Sequence, residues 1–113
     1  MPNLAQAARA YQAAASHRSM REQQAEVFRI VNGALRNGRE AGAIARARAL
    51  ADNRRLWTTV LNLMRDPANP LPAELRGSII SIGIAVQRDM DRDEPDFEFL
   101  IETNENVAAG LDS

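Results

Sequence analysis

The sequence predicts an all-α fold, a small bundle of four to five helices forming one domain over residues 1–113. Three observations carry this. Apolar residues recur at spacings of three, four and seven along several long stretches, the period of a helix buried on one face. Prolines fall between those stretches, at 67, 70, 72 and 95, where they stop one helix or open the next. The length, 113 residues, leaves no room for a second independent core. Of 51 apolar residues 20 are alanine, so the core is expected to be small.

Residues 4–15 form the first expected helix, with Leu4, Ala8, Tyr11 and Ala15 on one narrow stripe. Tyr11 is its only large residue after Leu4, so this helix is marginal alone. The segment 1–18 either packs on its own domain or stays mobile until a partner arrives. Ser19-Met20-Arg21-Glu22 has the form of a capping box and predicts a second start. Behind it Met20, Val27, Phe28, Val31, Ala34 and Leu35 form a clear stripe, with Asn37-Gly38 as the expected stop.

The next helix is expected from about residue 40 to 65. Its second part, Leu56, Trp57, Val60, Leu61 and Met64, is apolar around much of its circumference, which places the centre of the core there. Trp57 beside Arg54 and Arg55 also fits a base-stacking platform, but its apolar neighbours favour a structural role. Asp66-Pro67-Ala68-Asn69-Pro70-Leu71-Pro72 ends this helix. A further helix over about 72–92 carries Leu75, Ile79, Ile82, Val86 and Met90 on one stripe, with Ile80 and Ile84 on an adjacent side. Gly83 within it would let another helix approach closely.

Residues 89–96 read as a solvated acidic linker around Pro95. Its alternating aspartates fail the calcium-loop pattern, which needs glycine at Glu94 and glutamate at Leu100. A last helix over 96–109 presents Phe97, Leu100, Ile101 and Val107, with Gly110 as its stop.

The absence of cysteine excludes disulfides and thiolate chemistry. A single histidine, His17, makes no triad or metal cluster, and the acids concentrate in the hydrophilic linker. The expectation is therefore a protein that is not an enzyme, has no metal and no cofactor, and is soluble and cytoplasmic, with no membrane span. Residues 1–65 carry a net charge of +7 and residues 66–113 a net charge of −8, every basic residue being arginine. Opposite halves attract one another in a compact fold, which is the favoured reading; the basic half would also suit RNA.

Several stretches together resemble one family. They are Ala10-Tyr11-Gln12, Arg21-Glu22, Ala49-Leu50, Asn53-Arg54-Arg55-Leu56-Trp57, Asn69-Pro70-Leu71-Pro72-Ala73-Glu74-Leu75-Arg76, and Ile79-Ile80-Ser81-Ile82-Gly83. Their order and spacing, from about residue 10 to 101, are similar to FlaF, the small flagellin-biosynthesis regulator of alphaproteobacteria. Ala85-Val86 departs from the pattern, where members often carry a tryptophan before the valine. The resemblance implies a cytoplasmic protein that binds flagellin, supports its production or export, and acts alongside FlbT, which restrains flagellin translation. An amphipathic helix of flagellin would need an apolar groove. The residues expected to form one are Ile80, Gly83 and Ile84, with Tyr11, Phe97 and Phe99 at the rim. The competing reading gives Ile80 and Ile84 to the protein's own core or to a homodimer. FlbT is a second candidate partner, and direct contact of the arginine-rich half with flagellin messenger RNA is the alternative function.

Overall fold

The protein is described here from a computed structural model covering residues 3–112, with only the backbone described over 13–19. Four helices make up the described chain: α1 (Leu4–Gly38), α2 (Ala43–Arg65), α3 (Ala73–Met90) and α4 (Phe97–Asp112). No strand occurs among the described residues. α1 packs against both α2 and α4, α3 packs on α2, and α3 and α4 scarcely touch.

α1 is a single helix of 35 residues, roughly 52 Å at 1.5 Å per residue. It corrects the expected second start at Ser19. Residues 15–19 contain neither glycine nor proline, and the backbone stays helical through them, whereas an N-cap residue must leave helical geometry. The Ser16, His17 and Ser19 side chains lie outside the described residues. Asn3 is the actual N-cap, its side chain accepting from the Ala5 N–H at 2.9 Å. Residues 3–12 are exposed throughout and burial begins beyond Met20. The first turns of α1 therefore stand out from the bundle as an arm, which gives the molecule a long axis of 63 Å against 23 and 18 Å across.

Two further boundaries move for steric reasons. Gly38 was expected to terminate its helix in the left-handed conformation, but that conformation belongs to Gly42, at φ 103°, which precedes α2. Gly38 instead allows close packing: a Cβ there would lie 2.9 Å from the Ala45 carbonyl oxygen and 3.1 Å from the Ala49 Cβ. Gly110 does not stop α4, which continues to bury Leu111. The acidic linker is also shorter than expected. Asp89 lies in α3 and is buried, accepting from the Asp96 N–H at 2.9 Å and from Arg92 Nη1 at 3.0 Å. The solvated linker is thus residues 91–96.

The proline loop after α2 is folded by side chains acting as backbone caps. Asp66 Oδ1 accepts from the Ala68 N–H and Asn69 Oδ1 from the Leu71 N–H, each at 2.9 Å. Arg76 reaches back from α3 and donates to the carbonyls of Leu71, Asp66 and Met64 at 3.2, 3.2 and 3.4 Å. At the other end of α3, Arg54 donates to the Met90 carbonyl and pairs with Asp91, both at 3.0 Å.

The core centres on Trp57, which is fully buried and meets Phe28 edge-on at a centroid separation of 5.4 Å. Around it the sequence hides a polar node. Asn32 of α1, Asn53 of α2 and Asn104 of α4 are all buried. Asn104 Oδ1 accepts from Trp57 Nε1 at 2.9 Å, while its amide donates to Asn53 Oδ1 at 2.8 Å and to Asn32 Oδ1 at 3.3 Å. Asn32 Nδ2 donates onward to the Ile101 carbonyl and Asn53 Nδ2 to Met90 Sδ, both at 3.0 Å. Every asparagine amide in the node has a partner, as burial demands.

Candidate functional site

The residues expected to form a groove do not make one surface. A Cβ at Gly83 would lie 2.7 Å from Leu61 Cδ2 and 3.0 Å from Trp57 Cε3, so that face of α3 is pressed onto α2 and offers no space. This corrects Gly83 from groove lining to a close helix contact. Gly83→Ala is accordingly expected to force repacking at a cost of about 1–3 kcal/mol, measurable as a lowered denaturant midpoint. Phe97 is likewise interior, with the Arg46 guanidinium 4.4 Å above its ring. Ile80 is partly buried and packs on the core, while Ile84 and Phe99 are exposed. Tyr11 stands on the arm, 71% exposed. Leu56, Trp57, Val60, Leu61 and Met64 are all buried.

The open apolar surface lies instead at the end of the bundle from which the arm leaves. There the C-terminal turns of α2 and α4, the start of α3 and the middle of α1 converge without closing. One cavity of about 310 Å³ is bounded by Met20, Arg21 and Gln24, by Leu63, and by the loop from Asp66 to Pro72. A second, about 120 Å³ and almost wholly apolar, reaches inward between Val27, Phe28, Leu56, Val60, Met64, Ile79, Val107 and Leu111. A third, about 140 Å³, separates Leu75, Ser78, Ile79 and Ile82 of α3 from Asn106, Val107, Gly110 and Leu111 of α4. The first two share Gln24 and Leu63, and the last two share Ile79, Val107 and Leu111. The three cavities adjoin along these shared walls and make up an apolar cleft. Met20, Val27, Leu63 and Ile82 are exposed along it, a concentration of large apolar side chains that marks interaction surfaces.

Ile79 lies in the core as its stripe predicts, whereas Ile82 on the same stripe is exposed and lines a cavity, which the stripe alone does not report. The signal available was that α2 is apolar on more sides than two neighbouring helices can cover.

Electrostatics across the fold are mostly internal. Arg29 pairs with Asp112 and Arg36 with Glu105, both across the α1–α4 seam. Arg39 approaches Glu98 at 3.9 Å and Arg54 holds Asp91. The opposite charges of the two halves are thus spent in part on holding α4 and α3 to the rest. Among the described residues, no group of three or more histidine, cysteine, aspartate or glutamate side chains could hold a metal ion. No helix among them is long and apolar enough to cross a membrane.

The family model of the flagellar protein FlaF matches residues 7–111. The chain belongs to the FlaF family. No curated protein and no solved structure matches it. The FlaF match takes in the arm from Ala7 onward, the asparagine node and every wall of the cleft. As a FlaF member the protein is a flagellar protein.

Proposed function

We propose that this FlaF-family protein binds unassembled flagellin in the cytoplasm and supports its synthesis and secretion, alongside FlbT, without catalysing a reaction. The observation that carries the reading is the apolar cleft at the open end of the bundle. An amphipathic helix that has lost its assembly partners exposes a stripe of large apolar side chains, and burying that stripe in a preformed groove removes it from water. Leu63 is the natural anchor point, since it is 42% exposed and belongs to two of the three parts of the cleft.

Direct contact with messenger RNA has less support. Arg29, Arg36, Arg39 and Arg54 each face a carboxylate, Arg46 covers Phe97, and Arg76 is engaged by three carbonyls. Phosphate binding by these side chains would have to compete with the carboxylates, ring and carbonyls that they already face.

The test is co-purification with flagellin at low and high salt. Leu63→Asp is expected to abolish flagellin capture while leaving the circular dichroism spectrum unchanged, because Leu63 is partly solvated. Ile84→Asp, on the exposed flank of α3 away from the cleft, is expected to bind normally. Full-strength capture by a folded Leu63→Asp protein would remove the cleft as the binding surface. Capture of the flagellin transcript that falls steeply with salt would favour the RNA reading instead.

A further inference from the structure

The four helices are not held with equal strength. The asparagine node bonds α1, α2 and α4 to one another through Asn32, Asn53, Asn104 and the Trp57 indole. Among the described residues it reaches α3 by one contact, from Asn53 Nδ2 to Met90 Sδ, and a thioether is a weak acceptor. α4 buries seven residues between Phe97 and Leu111. Of the large apolar residues of α3 only Ile79, Val86 and Met90 are buried. This helix rests on α2, scarcely meets α4, and has a cavity of about 140 Å³ along its other flank. Its ends are clasped by two arginines. Arg76 holds the carbonyls of Met64, Asp66 and Leu71, and the half-exposed Arg54 holds the Met90 carbonyl and Asp91. The segment is also a poor helix former: its 18 residues include Gly77, Gly83 and the β-branched Ile79, Ile80, Ile82, Ile84 and Val86, and both types lower intrinsic helicity. Its helical form therefore depends on its contact with α2.

We infer that α3 is a detachable wall of the bundle, which undocks and unfolds as one unit while α1, α2 and α4 stay joined, and that the two arginine clasps set how often it does so. Segments of low local stability are where a fold opens first. The connectivity permits this opening. α4 begins beside the start of α2, where Arg46 covers Phe97, and from there to Arg65 is about 30 Å along α2. Residues 66–96, once released from helical form, reach up to about 100 Å, so opening puts no tension on α4. Departure of α3 uncovers the α2 face on which Gly83 sits, with Trp57 and Leu61. It also removes the Leu75, Ile79 and Ile82 side of the apolar cleft. The cleft thus has fixed walls on α1, α2 and α4 and one movable wall, whose position sets its width. This device goes beyond the flagellin reading and does not depend on the identity of any partner.

The experiment is native-state hydrogen exchange of the full-length protein, followed by nuclear magnetic resonance as urea is raised below the unfolding transition. Amides of residues 79–90 in α3 are expected to show protection at least about tenfold lower than amides of residues 100–108 in α4. Their exchange should also depend less on urea, because opening α3 exposes less surface than global unfolding. Two kinds of variant then separate the units. Ala108→Gly weakens the buried face of α4 and is expected to speed α4 exchange by about fivefold while leaving α3 unchanged, since α4 stays docked when α3 opens. Arg76→Ala and Arg54→Ala loosen the clasps, and each is expected to speed exchange by about fivefold in α3 and by the same factor in α4, because both openings start from the same native state. Equal protection and equal urea dependence in α3 and α4 of the unmodified protein overturn the inference by making the bundle one cooperative unit. So does α3 exchange that follows Ala108→Gly as closely as α4 does. Folded clasp variants with unchanged α3 protection overturn it as well.

Discussion

Trp57→Ala is expected to lower stability by about 3–5 kcal/mol. The indole is completely buried, lies edge-on to Phe28, and forms part of the surface on which Gly83 brings α3 down onto α2. Truncation leaves a cavity at the point where α1, α2 and α3 depend on the same ring, and a cavity there cannot collapse without moving a helix. It also strips Asn104 Oδ1 of its 2.9 Å donor. Urea unfolding followed by circular dichroism measures the loss, and Trp57→Phe separates its parts: phenylalanine keeps most of the packing but not the N–H. An alanine variant with an unchanged midpoint would mean that the ring contributes nothing to packing and would return it to a base-stacking role.

Asn104→Leu is expected to cost about 3 kcal/mol, although leucine is more apolar and of comparable size. One substitution leaves three buried groups short of a partner: the Trp57 N–H, Asn32 Oδ1 and Asn53 Oδ1. Each loses water on folding and gains nothing in return. The same measurement on a variant with Asn32, Asn53 and Asn104 all replaced by apolar residues should recover much of the loss, because no orphaned oxygen then remains. If Asn104→Leu alone proved neutral or stabilising, the node would be a by-product of packing.

Much of the bundle was legible in the chain. The apolar block from Leu56 to Met64 placed the core, and the three prolines from Pro67 to Pro72 placed the break between α2 and α3, because burial and backbone geometry are written locally. The asparagine node was not legible in the same way. Asn32 follows Phe28 by four residues, Asn53 precedes Trp57 by four, and Asn104 lies on the stripe of Leu100, Val107 and Leu111, so a polar residue at a core position was the available signal. Its meaning depended on partners 51 and 72 positions away, which no local period reports. Ser19 shows the opposite failure. Its capping pattern is real as a local preference, but an uninterrupted helix satisfies the same N–H groups with backbone carbonyls. The sequence places a groove beside Ile80 and Ile84 because they fall outside the main stripe, whereas the apolar cavities lie between α3, α4 and the end of α2. What decides exposure there is the gap between α3 and α4, a tertiary fact.

The node also imposes an order on biosynthesis. Its three asparagines come from α1, α2 and α4, and Asn104 lies in the 16-residue α4. While the ribosome is still adding α4, the amides of Asn32 and Asn53 and the Trp57 indole have only solvent or wrong partners, and the α1 face that α4 will cover is bare. Local helices can form as they emerge, but contacts this distant in sequence carry a loop-closure cost before they contribute stability. The node therefore closes only once α4 is available to pack on α1 and α2. A nascent chain stalled before residue 97 is expected to be open to proteases that the finished protein resists.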